Sequence, residues 1–293
     1  MELQIRALHP VFAAEVIGID LRQPPSAELA RSIDAAMSRH GVLVLRDQRI
    51  DDDQQMAFAQ SLGTIEAAPA VVDAQLHRLA HKQMVDISNL DVDGSILAAD
   101  DRRRMFNLGN RLWHSDSSFK STPAKHSMLH ARVIPPDNPP TEFADMRAAW
   151  DALSPSVQSR LINLVCRHSL IYSRAQLGFE AFTESERHAF EPVRQRLVRR
   201  HPGSSRLSLY LSSHIGEVEG MPRPEAMAMI RDLIEHATQR SFVYAHVWKP
   251  DDLVIWDNRC TMHRARPFDD QNQRRDMRRI TLQDSAPTLE QAI

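Results

Sequence analysis

The sequence is poor in cysteine. Cys166 and Cys260 are its only thiols in 293 residues, too few for a disulfide framework or a thiolate metal motif. No apolar run approaches the length of a membrane span, and Met1 to Arg6 lacks the apolar core of a secretory signal. A reduced, cytoplasmic setting is therefore expected, with no membrane partner. A net charge of −2 and a pI near 6.7 leave no electrostatic footprint for nucleic acid. There is no internal repeat and no low-complexity linker, so residues 1–293 read as a single domain. Hydrophobic residues at 42% and charged residues at 25% are ordinary for a globular chain.

Histidine, in contrast, is plentiful, with 14 in the chain. The stretch Leu112-Trp113-His114-Ser115-Asp116-Ser117 sets a histidine and a carboxylate two residues apart. On a strand such residues project to one side. His114 and Asp116 can then grip one ion while Ser115 points away. A third ligand, His263, stands far downstream in Trp256-Asp257-Asn258-Arg259-Cys260-Thr261-Met262-His263-Arg264. Two histidines and one carboxylate on one face of a metal are the ligand set of non-heme Fe(II) oxygenases. His-x-Asp alone is weak among so many histidines, and a lone His263 is more often a packed or surface residue than a ligand. Arg275 and Arg279 shift the balance, since arginine suits fork-like binding of a carboxylate. In a strand here Arg275, Met277 and Arg279 share one face, and Arg274, Asp276 and Arg278 the other. That pattern fits a solvated basic strand or an inward arginine pair beside a metal. The clusters Arg102-Arg103-Arg104 and Arg199-Arg200 read as solvated faces.

With these residues in view, the chain resembles the 2-oxoglutarate-dependent dioxygenases of the taurine and dichlorophenoxyacetate dioxygenase family. The resemblance runs from Leu8-His9-Pro10 to about Arg279. It is carried by Asn110 to Phe119, by Thr141 to Trp150, by His201-Pro202-Gly203, Leu209-Tyr210-Leu211 and Glu235-His236-Ala237-Thr238, and by the two segments around Trp256 and His263. The branch that cleaves aryloxyalkanoate herbicides is the most similar. The resemblance implies a mainly β fold with helical insertions, a double-stranded β-helix or jelly roll of the cupin kind.

Local signals agree. Ser26 is a plausible N-cap for a helix through about Arg39, stopped by Gly41. Val42 to Leu45 reads as a buried strand. Asp51 to Leu62 reads as a helix whose aspartates suit the positive end of its dipole. Residues 64–110 have little periodicity and lead into the metal motif, which favours an active-site lid. Pro135 to Pro140 is a turn. Short helices are expected over Asp145 to Leu153 and Ser154 to Val165, and a longer one over Pro224 to Thr238. Phe242 to Trp248 and Leu253 to Trp256 read as a hairpin about Lys249-Pro250-Asp251-Asp252. Arg279 to Leu282 closes the barrel.

The resemblance also implies roles. His114, Asp116 and His263 bind Fe(II). 2-Oxoglutarate and O2 take the open positions, and the far carboxylate of 2-oxoglutarate pairs with Arg275 and the hydroxyl of Thr141. Asn110 lies near the co-substrate. Arg279 meets an anionic substrate head or the near end of the co-substrate, and Ser118 lines the substrate site. His201, His214 and His246 read as structural. The implied reaction couples decarboxylation of 2-oxoglutarate to hydroxylation of a small acidic substrate, such as 2,4-dichlorophenoxyacetate. If the hydroxylated carbon adjoins an ether oxygen, the hemiacetal collapses to a phenol and glyoxylate. A taurine or alkylsulfonate substrate is the alternative. A zinc hydrolase shares the ligand types but has no special use for two arginines, and a non-catalytic cupin would not need the triad. A homo-oligomer is expected. Two departures stand out. Asn138-Pro139-Pro140 precedes Thr141 where relatives carry a loose glycine turn. Lys82 is the only lysine between Gly63 and Arg111, where herbicide-cleaving relatives carry lysines for the substrate carboxylate.

Overall fold

The strand Val42–Leu45 explains the architecture in four residues. Leu43 and Leu45 pack under helices, while Val42 and Val44 face a second sheet. A strand covered on both faces reads as a continuous apolar run rather than an alternating one. Leu253–Asp257 repeats the pattern, with Leu253 and Ile255 outward and Val254 and Trp256 inward. The chain is described here by a computed structural model covering residues 3–67 and 78–293.

These strands belong to a seven-stranded sheet. Its order is Gln4–Ala7, Ala14–Ile17, Val42–Leu45, Leu253–Asp257, Ala124–Val133, Asp276–Gln283 and Val85–Asp86. A three-stranded sheet faces it, with Thr141–Asp145 between Val243–His246 and Thr261–Ala265. Phe143, Trp256, Met277 and Leu129 fill the space between the two. This is the double-sheet jelly roll expected from sequence. Smaller sheets and the helix Arg223–Ala237 extend it on one side.

Two helices cover the outer face of the large sheet. Ala27–His40 starts where Ser26 Oγ accepts the Leu29 amide, and it buries Leu29, Ala30, Ile33, Ala36 and Met37. That spacing is one helical face. It stops at Gly41, whose φ of 69° is open to glycine and whose Cβ, if present, would lie 3.0 Å from the Arg147 guanidinium. Asp52–Leu62 begins with a reciprocal capping box between Asp51 and Gln54, which satisfies two amides at once.

Four expectations are corrected. The segments on either side of Lys249 to Asp252 do not form a hairpin. Val243–His246 pairs with Thr141–Asp145, whereas Leu253–Asp257 pairs with Val42–Leu45 and Ala124–Val133. The turn carries the chain across the gap between sheets. The Asp252 carboxylate holds it there by accepting the Lys249 amide and meeting His246. The helix at Ser154 ends at Leu161, because Val165 already belongs to a strand. Arg199 is not on a solvated face: it is buried against Asp284. Arg102, Arg103 and Arg104 pair with Glu186, with Asp91 and Asp101, and with Asp270. The expected lid falls partly on residues 68–77, outside the described residues. Its remainder includes the helix Arg102–Asn107 and the single turn Leu108–Arg111.

Candidate metal centre

His114 and His263 are brought together by one isolated antiparallel bridge. The His114 amide donates to the His263 carbonyl at 3.0 Å, and the His263 amide returns the bond at 2.8 Å. Their rings lie 4.2 Å apart between centroids. Asp116 completes the group, with carboxylate oxygens 3.8 Å from His114 Nε2 and 3.7 Å from His263 Nε2. Asp116 does not sit on a strand, as the spacing had implied. It enters a turn in which Ser117 has a φ of 52°. Ser115 does point away, donating its hydroxyl to the carbonyls of Leu211 and Thr261.

All three ligands are buried. Burial pushes His114 below its ordinary value, and the nearby Asp116 carboxylate restores only part of the shift. Burial pushes His263 well down too, with the neighbouring His114 acting in the same direction. Neutral imidazoles are the form that binds metal. Burial raises the Asp116 carboxyl, but opposing charge, from Arg279 first, and the Ser127 hydrogen bond outweigh it and hold it at about 2. His114 Nδ1 lies 2.7 Å from the Leu112 carbonyl. A proton there leaves the Nε2 lone pair free toward Asp116.

A polar network fixes the carboxylate. Ser127 Oγ donates to Asp116 Oδ2 at 2.7 Å, and Asn258 Nδ2 donates to Ser127 Oγ at 2.9 Å. Asn258 Oδ1 accepts both the Asp116 amide and the Trp256 indole N–H. The Trp-Asp-Asn-Arg motif thus acts behind the ligand set, a role its sequence alone did not disclose. Its Asp257 takes both nitrogens of an Arg259 fork, and His201 and His126 lie at 2.9 and 3.2 Å. His201, Asp257 and Cys260 could in principle form a second metal group. Asp257 is already engaged by one cation and two imidazoles, so the cluster reads as internal bracing. His214 and His246 also have internal partners, Ser173 and Asp252.

Arg275 is half-buried and lines a cavity with Asn110, Asn89, Arg104, Arg111, Ala265 and Asp270. Among the described residues no carboxylate lies within ion-pair distance of its guanidinium. Desolvation pushes that guanidinium down to about 10. Asp270, across the cavity, is taken by Arg104 and Arg111 at 3.0 and 3.1 Å. Thr141 is one strand away, its register partner being Ala265 on the cavity wall. Its hydroxyl accepts the Trp248 indole N–H at 3.0 Å and keeps its own hydrogen to donate. The turn before it is built on Asn138, whose φ is 41° and whose amide donates to the Trp248 carbonyl. The proline pair therefore leaves the strand entry intact. The cavity wall as a whole does not include the triad; it marks the Arg275 end of the site.

The remaining two expected residues each have a partner inside the protein. Arg279 Nη1 donates to Asp116 Oδ1 at 2.7 Å, so it meets a triad member instead of standing free. Ser118 is fully buried, with its hydroxyl 3.0 Å from His168 Nδ1. Its hydroxyl is thus engaged inside the protein, two residues beyond the ligand Asp116.

The family model for "Taurine catabolism dioxygenase TauD, TfdA family" matches residues 4–281. The chain belongs to that family. It is 44% identical over 286 residues to the alpha-ketoglutarate-dependent 2,4-dichlorophenoxyacetate dioxygenase of Cupriavidus pinatubonensis, covering 98% of this chain and 99% of the relative. It is 35% identical to the (S)-phenoxypropionate/alpha-ketoglutarate-dioxygenase of Sphingobium herbicidovorans, covering 90% of each. The crystal structure of AAD-2 with Mn(II) and N-oxalylglycine superposes with a TM-score of 0.95 at 51% identity, covering 98% of this chain and all of that one. Family members share the double-stranded β-helix seen here.

Proposed function

We propose that the protein is an Fe(II)- and 2-oxoglutarate-dependent dioxygenase that hydroxylates a small acidic organic substrate. An aryloxyacetate such as 2,4-dichlorophenoxyacetate fits best, with ether cleavage to a phenol and glyoxylate. One observation carries the reading. Two imidazoles and one carboxylate converge from distant segments, and Arg275, with no carboxylate partner among the described residues, lines a nearby cavity. The donor set fits iron: its nitrogen and oxygen ligands suit Fe(II) with room for other ligands. When bound, the metal supplies the oxidising chemistry of 2-oxoglutarate and oxygen.

The chain's own residues bind and orient. His114, Asp116 and His263 hold the ion. Arg275 receives the far carboxylate of 2-oxoglutarate, and the Thr141 hydroxyl donates to the same group. Asn110, on the wall beside Arg275, contributes an amide. The Ser127 and Asn258 network keeps Asp116 oriented and leaves one oxygen facing Arg279. Residues 64–110 serve as a lid that excludes water. Lysine is scarce in them, and Arg78, Arg102, Arg103 and Arg104 are already paired with carboxylates, which points to a cation elsewhere for the substrate anion.

A cytoplasmic homo-oligomer remains part of the proposal. No helix among the described residues is long and apolar enough to cross a membrane. Size-exclusion chromatography tests the assembly. The activity is tested by succinate formation from 2-oxoglutarate with Fe(II) and ascorbate, across aryloxyacetates, phenoxypropionates and alkylsulfonates. The expected outcome is oxygen-dependent release of a phenol. Full turnover under nitrogen with zinc and no 2-oxoglutarate would instead mark a hydrolase.

A further inference from the structure

Most buried arginines in this chain have a carboxylate. Arg147 has Asp145, Arg199 has Asp284, Arg259 has Asp257 and Arg278 has Asp276. Arg174 has none within ion-pair distance among the described residues, although only 5% of it is exposed. Its Nη1 donates to Ser173 Oγ at 3.0 Å, and its Nε is buried with no partner at all. An unpaired buried cation is costly and needs a reason.

The surroundings give one. Ser173 Oγ is 2.9 Å from His214 Nδ1, and the His214 ring is 6.0 Å from that of His114. Arg174 is therefore three contacts from a metal ligand. The Phe106 ring lies 4.3 Å from its Cζ, and Phe179 sits edge-on to Phe106 at 5.9 Å. Gly109 makes room: a Cβ there would come within 2.2 Å of the guanidinium. That glycine lies in the turn Leu108–Arg111, whose Leu108, Asn110 and Arg111 line the Arg275 cavity. One turn thus packs against the Arg174 guanidinium at Gly109 and shares a cavity wall with Arg275, and neither arginine has a carboxylate partner among the described residues. Two cations in reach of one site match two anions, the co-substrate and the substrate. Arg279 is already engaged with Asp116.

We propose that Arg174 is the specificity determinant that receives the anionic head of the primary substrate, with the Phe106 and Phe179 rings beside it for an aromatic body. This rests on the dioxygenase reading above. It also supplies a cation not already paired, whereas Arg78, Arg102, Arg103 and Arg104 of the lysine-poor lid have carboxylate partners. The bland alternative is a structural plug held against Phe106 by cation–π attraction, worth about 0.5–2 kcal/mol.

The test is calorimetric binding to the protein loaded with Mn(II) and 2-oxoglutarate under nitrogen. The two probes are 2,4-dichlorophenoxyacetate and its neutral primary amide. The wild type should prefer the acid by at least about tenfold, the lower end for a charge-assisted pair. Arg174→Gln should abolish that preference, chiefly by weakening the acid, and Arg174→Lys should restore part of it. Gly109→Ala, which displaces the guanidinium without removing it, should lower the preference as well. If Arg174→Gln loses its native circular dichroism, the Lys and Ala variants decide the matter. A wild type indifferent to charge, or variants that retain its preference, would overturn the inference. An intact preference without oxygen-dependent turnover would instead count against the dioxygenase reading and leave Arg174 as an anion site.

Discussion

Arg279 Nη1 lies 2.7 Å from Asp116 Oδ1, while Ser127 Oγ lies 2.7 Å from Asp116 Oδ2. The ligating carboxylate is thus held from both sides before any ion arrives. The strand Asp276–Gln283 reaches into the metal centre through Arg279, and one residue before the strand it offers Arg275 to the adjoining cavity. In the metal-free protein this pairing makes Asp116 part of the acid stability of the fold. Its carboxyl is held at about 2, against about 3.9 in an unfolded chain. A depressed folded value gives stability that is complete above the unfolded value and lost as pH falls through the folded one. The window is therefore from about pH 4 down to about pH 2, for a contribution of roughly 2–3 kcal/mol. Arg279→Met removes the largest opposing charge and leaves burial to raise the carboxyl. Its acid-unfolding midpoint, followed by circular dichroism without metal, should move to higher pH. An unmoved midpoint would mean the pair contributes nothing.

Each of His114→Ala, Asp116→Ala and His263→Ala should abolish turnover and weaken Mn(II) binding by at least about tenfold. Thermal unfolding should remain cooperative, since each change removes an ion ligand and no large apolar side chain. Titration calorimetry and differential scanning calorimetry check the two halves. Native Mn(II) affinity in Asp116→Ala would remove that residue from the ligand set.

The orienting network should matter nearly as much. Ser127→Ala and Asn258→Ala each leave Asp116 with one support fewer, and losses of this kind cost about 10–100-fold in metal affinity. Asn258→Ala should be the more severe, because it also strands the Trp256 indole and the Asp116 amide. Equal effects of the two variants would argue that Ser127 alone matters.

Arg275→Ala should raise the Michaelis constant for 2-oxoglutarate by at least about tenfold, as a charge-assisted pair contributes about 1.5–3 kcal/mol. Thr141→Val should raise it by less, since a hydroxyl donor carries no charge. The Trp248 indole also loses its acceptor in that variant, so its thermal midpoint should fall by a few degrees. Steady-state kinetics decide, and an unchanged constant in Arg275→Ala would sink the assignment.

Much of this was visible in sequence because it is local. The Ser26 and Asp51 caps, the Gly41 stop and the Val42–Leu45 run each depend on neighbours a few residues away. What could not be read depends on partners distant in the chain. The turn at Lys249 to Asp252 looks like a hairpin because nothing within it says which sheet receives its second arm. Arg199 looked solvated because Asp284 lies far downstream. Arg174 carried no signal of its own, as an arginine in a short helix is usually exposed. Ser118 and Arg279 were placed by resemblance, and each proves to be bonded inside the protein.

The bridge between His114 and His263 joins segments about 150 residues apart in sequence, and an ion held between them closes a loop of that length. For the unfolded chain, that ion is a removable cross-link. Anything that binds only the folded form stabilises it by mass action. The thermal midpoint should therefore climb with free metal concentration and fall again with a chelator. A cell short of iron would then hold this protein not only idle but closer to unfolding, so supply of the metal would set its abundance as well as its rate.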